Sequence, residues 1–397
     1  MRLWGCKVMR FCGVLTVLIT SCRKDVEVFL PEKEQVAEGE VIDAGDDRET
    51  QEGGFKSIRG FYLLNEGNMG SNKATLDYYD YSTGTYTRNI YGEANPSVAK
   101  EMGDVGNALA IYGGRLYAVI NCSNKIEVME RQTARRIGQV DIPNCRYMRF
   151  HEGYMYVTSY AGPVAVGTEN QRLGYVAKVD TATLQVVATC LTGYQPDELE
   201  IANGRIYVAN SGGYLTPNYE NTVSVIDLQT FTEEKRISVA KNLHHLRSDD
   251  HGQLWVSSRG DYYTEPSKLY CIDLRTETVS DSVDIAVSNF HLDGDSLYIY
   301  GASWNYMTME DKVTYGIVNV KTHQVVTTNF ITDGTEQSIQ MPYGVAVNPL
   351  TKDIYVTDAK NYVNPGWLYC FDKEGKMKWR VRTGDIPAHI AFLGELK

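Results

Sequence analysis

One short pattern recurs seven times along this chain, and a fragment missing from the first copy stands after the last. The unit is an apolar residue, a tyrosine or tryptophan and a second apolar residue, then a polar loop, a second run often ending in aspartate, a tight turn and a third run. The copies begin GFYLLNEG (60–67), GRLYAVIN (114–121), GYMYVTSY (153–160), GRIYVANS (204–211), GQLWVSSR (252–259), DSLYIYGA (295–302) and KDIYVTDA (352–359). Apolar and polar residues alternate within each run, the period of a half-buried strand and not of a helix. Turns such as Asp180-Thr181-Ala182-Thr183 and Asp227-Leu228-Gln229-Thr230 carry residues that favour tight reversal.

Six of the seven units are preceded by a further short run: ALAIY (108–112), YMRF (147–150), ELEI (198–201), HLRS (245–248), NFHL (289–292) and GVAV (344–347). The first unit lacks one, and the missing copy appears near the C-terminus as HIAF (389–392). A sheet that takes its first strand from one chain end and its other three from the other end closes a ring without leaving edges exposed. The sequence therefore predicts an all-β fold, a seven-bladed β-propeller of four-stranded blades in which the C-terminal strand joins the N-terminal blade. The unequal spacing of the copies suits blades with variable loops better than an irregular β-sandwich.

The N-terminus has Arg2, Lys7 and Arg10 before the apolar run 11–19, too short to span a bilayer and laid out like an export signal. It closes on Ile19-Thr20-Ser21-Cys22, which looks like a bacterial lipobox with Cys22 as the lipidated residue. Residues 1–21 are thus expected to be a lipoprotein signal peptide. Residues 22–57, acidic and poor in aromatics, are expected to be a flexible tether, and 58–397 the propeller. The net charge of −11, with no basic stripe, argues against a nucleic-acid partner. Cys122, Cys145, Cys190, Cys271 and Cys370 form an odd set without metal spacing. They read as buried free thiols, a Cys122–Cys145 bridge being the alternative.

The tandem GRIYVANSGG and NTVSVIDLQT resembles the YncE-like and surface-layer-type seven-bladed propellers over roughly residues 60–393. With an export signal, an acidic tether and long Tyr/Asn-rich loops, the chain is similar to the BtuG-type cobalamin-capturing surface lipoproteins of Bacteroides-like bacteria. The resemblance implies a cell-surface, outer-membrane, lipid-anchored binder. Such a protein takes up cobalamin or a related corrinoid and passes it to a TonB-dependent receptor. It implies no catalysis, no required cofactor and no metal, and it brings no ligand motif to map.

Candidate binding residues rest instead on loop chemistry. In a four-stranded blade, the loops between second and third strands share one face with the connections between blades. Here that face carries the long loops, among them 159–174, 211–221 and 257–268, while the opposite face has tight turns. Amide, tyrosine and tryptophan side chains suit a broad neutral ligand. The loop candidates are Asn65, Glu66, Asn121, Tyr160, Asn210, Tyr214, Arg259, Tyr262, Trp304, Tyr306, Asp358, Asn361 and Tyr362.

Aligning the innermost strands adds a column at the channel mouth, Ala108, Tyr147, Glu198, His245, Asn289, Gly344 and His389, preceded by Asn107, Arg146, Asp197, His244 and Tyr343. Of these, Arg146, Tyr147, Asp197, His245, Tyr343 and His389 join the candidates. Arg149, Glu200, Arg247 and His291 are expected to satisfy one another inside the channel. Two alternatives remain: a surface that docks a protein or glycan, and a lactonase- or lyase-type enzyme with a metal held by Asp104, Asn107, Asp197, Glu198, Glu200 and His245. No GxSxG, HExxH or phosphate loop supports the enzyme.

Cys22→Ser is expected to abolish fatty-acid labelling and move the protein from the membrane fraction to the soluble one; unchanged labelling would overturn the lipobox assignment.

Overall fold

The computed structural model describes residues 32–44, 54–98, 101–167, 171–305 and 310–397. Cys22 and Tyr306 lie outside them.

Seven antiparallel sheets radiate from a central axis. Blade two runs Gly106–Tyr112, Arg115–Ile120, Lys125–Glu130 and Arg136–Asp141 from axis to rim, and blades three to seven repeat that order. Blade one is composite. Its inner strand is Pro387–Leu396, paired with Phe55–Asn65, which in turn pairs with Thr75–Asp80 and then Thr85–Thr87. Ring closure by the C-terminal strand is as the sequence predicts.

The turns between third and outer strands follow one local rule. Asp180 Oδ1 accepts the backbone N–H groups of Ala182 and Thr183. Asp227 does the same for Gln229 and Thr230, and Asp273 for Arg275 and Thr276. Four residues after each aspartate the chain adopts positive φ, at Leu184, Phe231 and Glu277. The aspartate thus folds the turn locally, before any packing is made.

The repeated Tyr/Trp lies between blades, and its ring or polar tip reaches the next blade. Tyr62 donates to the Arg131 carbonyl at 2.9 Å, Tyr207 to Glu277 at 3.0 Å, and the Tyr355 and Tyr81 hydroxyls meet at 2.6 Å across the closing interface. Elsewhere the contact is ring to ring: Tyr156 with Phe231 at 5.8 Å and Trp255 with His323 at 5.1 Å. A stiff amphipathic ring fills this wedge and brings a hydrogen-bonding tip to the turn beyond it.

Residues 33–44 depart from the flexible tether expected across 22–57. Lys33–Gln35 adds an outermost strand to blade one, Ile42–Asp43 pairs with Ile58 and Ser57, and Ile42 and Ala44 are buried in the apolar cluster of that blade. Val36 and Ala37 pack against the same cluster, half-buried, so four apolar side chains in an acidic stretch suffice where the propeller offers an open edge. Glu32 O accepts from Arg88 N at 3.0 Å, at the end of the outer strand nearest the long-loop face, so this end of the described segment lies on that side.

Phe61 is fully buried against Tyr79, Tyr81, Tyr355 and Phe392, rings drawn from both chain ends and from blade seven. Phe61→Ala is expected to lower unfolding free energy by about 3–5 kcal/mol in denaturant titration. A loss below about 1 kcal/mol would show that closure does not depend on this cluster.

Candidate functional site

The site is made by a register fault repeated around the axis. At the long-loop end of the inner strand, six of the seven blades shift register against the second strand; blade six stays continuous. In blades three, four and five the residue pairs Arg146-Tyr147, Asp197-Glu198 and His244-His245 each oppose a single partner residue. A bulge of this kind re-aims side chains. In a regular strand neighbours would point to opposite faces; here both members of Arg146-Tyr147 and of His244-His245 line the cavity, while in blade four Asp197 lies behind its wall and Glu198 below the rim.

The bulge follows a residue at positive φ: Val105, Asn144, Gln195, Asn242 and Ile386. The β-branched Val105 and Ile386 are strained there, by on the order of 1–3 kcal/mol each. Hydrogen bonds hold them: the Val105 carbonyl accepts from Asn121 N at 2.7 Å and the Ile386 carbonyl from Glu66 N at 2.8 Å.

These rims and the long loops enclose an open axial cavity of about 1060 Å³. Its walls include Tyr147, Tyr262, Tyr300, Tyr343 and Tyr362, with Arg146, Arg259, His244, His245, His389, Glu66, Asn107 and Asn289 among them. A smaller space of about 120 Å³ continues down the channel past Arg149, Arg247 and His291.

Charges at the rim are arranged in two groups. Asp197, fully buried, accepts from Arg146 Nε at 3.3 Å, from Arg259 Nη1 at 2.9 Å and from the Tyr160 hydroxyl at 2.5 Å. Burial pushes its carboxyl up, but Arg259, Arg146 and that hydroxyl outweigh burial and hold it below the usual carboxylate range. Across the cavity, Glu66 accepts from the Tyr343 hydroxyl at 2.9 Å and pairs with His389 Nε2 at 3.1 Å.

Below the rim, Glu198 is bound by Arg149 at 2.7 Å, Arg247 at 2.5 Å and His245 at 2.9 Å. Arg149 also bonds Glu200 at 3.2 Å, so the expected mutual pairing of Arg149, Glu200 and Arg247 is present. Burial and the nearby Arg259, His245 and Arg146 hold His244 well below the usual histidine value, hence neutral. Burial, with Lys352 near, lowers His291 to about 4.

Of the sequence candidates, Glu66, Arg146, Tyr147, His245, Arg259, Tyr262, Tyr343, Tyr362 and His389 line the cavity. Asp197 and Tyr160 sit behind the wall and support it, Tyr160 lying under the Arg146 guanidinium at 4.9 Å. Tyr214 packs edge-on against Tyr160 at 6.4 Å.

Asn65, Asn121, Asn210 and Asp358 do not line the cavity, because their polar groups serve the frame. Asn65 bonds Thr75, Asn121 bonds Asn144 and the Cys145 carbonyl, and Asn210 bonds Thr222, Ser224 and Gly193. Asp358 accepts from Gln340, Met341 and Lys360 N–H groups. Asn361 caps its own exposed loop at Val363 and Asn364. Trp304 falls on the extended blade-six hairpin, where its backbone pairs with Asp311.

Tyr300 and the loop residues Tyr263 to Ser267 complete the wall. Tyr300 escapes a search of loops because it sits within a strand; its hydroxyl donates to the Tyr343 carbonyl. The six-residue metal constellation is not assembled: Asp104 instead binds Gly70 and Asn72 N–H groups, and arginines engage Asp197, Glu198 and Glu200. Among the described residues no three His, Cys, Asp or Glu side chains converge as metal ligands. Cys122, Cys145, Cys190, Cys271 and Cys370 are free thiols, Cys122 exposed and the others buried.

Residues 59–390 match the family described as Domain of unknown function (DUF5074), and the chain belongs to that family. No curated protein matches the sequence. Among solved structures, the fold is similar to hydrazine synthase of Kuenenia stuttgartiensis, with a TM-score of 0.58 and 13% identity, covering 72% of this chain and 89% of that one. It is also similar to a quinonprotein alcohol dehydrogenase-like protein of Bacteroides thetaiotaomicron, with a TM-score of 0.52 and 14% identity, covering 84% of this chain and 78% of that one. At such identities the likeness is one of fold, and neither activity transfers with it.

His244 and His291 titrate in the folded protein below the free imidazole value of about 6.5. Below that pH the unfolded chain binds more protons than the folded one. The stability contributed by the neutral rings is therefore full above pH ~6.5 and falls on acidification, by at most about 1.4 kcal/mol per pH unit per histidine. Denaturant titrations from pH 7 to 5 should show this decline, and His291→Gln should flatten part of it. Constant stability over that range would contradict the assignment.

Proposed function

We propose that this DUF5074 propeller is a lipid-anchored cell-surface protein of the outer membrane that captures cobalamin or a related corrinoid in its axial cavity and hands it to a TonB-dependent transporter. The observation that carries the reading is the open cavity of about 1060 Å³, walled by tyrosines from several blades together with amide, imidazole and guanidinium groups. That volume lies at the top of the roughly 300–1,000 Å³ of ordinary small-molecule sites, which favours a ligand larger than a simple metabolite. A corrinoid is a broad disc fringed with amides. Tyrosine rings supply flat contact with a polar tip, and amide and guanidinium groups match the fringe.

Two further features support delivery to a membrane receptor. Glu32, where the described residues begin, lies on the side of the long-loop face. Only residues 23–31 separate it from Cys22, an extended reach of about 30 Å, so an anchor at Cys22 would keep the cavity near the bilayer. The resemblance to corrinoid-capturing lipoproteins points the same way. The capture chemistry requires no cofactor and no bond making or breaking by the protein.

Purified protein mixed with cyanocobalamin and gel-filtered should elute red, and Tyr343→Ala should weaken binding by roughly ten-fold or more in calorimetry, since a central aromatic anchor is removed. A colourless protein peak, with all pigment in the small-molecule fraction, would overturn the corrinoid reading and leave protein or glycan docking as the use of this face.

A further inference from the structure

At the cavity wall two guanidinium groups share one carboxylate. Arg146 reaches Asp197 through Nε and Arg259 through Nη1, and Asp197 is already bonded to Tyr160 behind them. A guanidinium carries five N–H donors in a planar fork. Among the described residues, the remaining side-chain donors of Arg146 and Arg259 meet no acceptor, and both side chains line the cavity. They are 18% and 27% exposed, so water reaches them only in part.

Among the described residues no neighbouring carboxylate makes up the difference: Glu265, which also lines the cavity, is taken by Lys241. Glu198 is held by Arg149, Arg247 and His245, and Glu66 stands on the opposite wall with Tyr343 and His389. His244, beside the pair, adds no charge near neutral pH. One positive charge is therefore left over on a half-desolvated wall, in a chain whose net charge is −11. A buried cation without its full complement of acceptors is costly unless a partner arrives.

We propose that the Arg146–Arg259 wall binds an oxyanion of the cavity's ligand, a phosphate ester or a carboxylate, with Asp197 as the positioning residue that holds both forks in place. Guanidinium forks suit such groups because they offer parallel N–H pairs with matched spacing. The plane of Arg146 is set from behind by the Tyr160 ring at 4.9 Å. With Glu66 opposite, the cavity is polarised, so the ligand lies with its anion toward blades three and five and its hydrogen-bond donors toward blade one. This deepens the capture reading and rests on it for the ligand's identity, though not for the anion chemistry.

The test uses the propeller as it stands, with Arg259→Gln and Arg146→Gln as separate variants. Each leaves the other arginine paired with Asp197, and thermal melts confirm folding. The probes are cyanocobalamin, which carries a phosphodiester, and dicyanocobinamide, which has the same ring without it. Wild type should prefer cyanocobalamin by roughly ten-fold or more, a preference that weakens with salt and disappears in both variants. Equal affinity for the two probes, or folded variants that keep the preference, overturns the proposal while the capture reading stands. If neither corrinoid binds wild type, the capture reading fails instead, and dimethyl phosphate and acetate decide the anion site. Thermal stabilisation of wild type but not of Arg259→Gln by either supports it and identifies the oxyanion; stabilisation of neither overturns it.

Discussion

Everything at the axis depends on the pairing of Phe55–Asn65 with Pro387–Leu396. Without it the ring would be an open stack, with blade one missing its innermost strand and blade seven facing solvent. The pairing crosses nearly the whole chain, so its loop-closure entropy is met only when the intervening blades are already in place. The apolar cluster around Phe61, which joins Tyr79, Tyr355, Phe392 and Trp379, stabilises the seam. Circular closure also makes all inner strands meet at one axis, and no single blade could form the cavity.

The wedge aromatics explain why so rigid a frame tolerates such unequal loops. Most of these rings pack against the neighbouring blade near its third-to-outer turn, as Tyr62 does at Arg131, Tyr156 at Phe231 and Tyr207 at Glu277. Blade-to-blade contact is thereby made on the tight-turn side and in the body of the sheets. Lengthening a loop on the other face leaves that contact intact and adds only the slowly growing entropy of a longer connection. Function can thus be elaborated on one side while stability resides on the other.

At the site, the same low-dielectric setting works in two directions. Asp197 is ionised although fully buried, because two arginines and a tyrosine hydroxyl surround it. Glu200, deeper in the channel and near Glu198, has its carboxyl pushed up by burial despite Arg149. Buried ion pairs of this kind add little net stability compared with apolar packing; what they provide here is position. In blades three and five the bulged inner strands hand two adjacent polar residues to the cavity wall, and the blade-four pair, Asp197 and Glu198, holds the neighbouring arginines in one geometry through ion pairs.

The seven-fold repeat, the displaced HIAF run and the Asp-led turns were legible in the sequence because each is local: strand alternation, turn chemistry and Tyr/Trp spacing need no knowledge of distant contacts. The long-loop face was legible for the same reason, and so was part of the aligned column: Tyr147, His245, Asn289 and His389 line the cavity, whereas Ala108 and Glu198 line only the space below it. The fates of Asn65, Asn121, Asn210 and Asp358 were not. An amide in a loop has the same sequence appearance whether it meets a ligand or a neighbouring backbone group. Nor did the sequence reveal that residues 33–44 would extend blade one, because two strand-forming fragments in an acidic stretch gain order only from an edge supplied by the folded domain. Sequence alone thus determined the number of blades, the way the ring closes and which face is elaborate. Tertiary structure decided which polar groups face the cavity, because register shifts and the partners that satisfy each buried donor arise only when strands far apart in the chain are brought side by side.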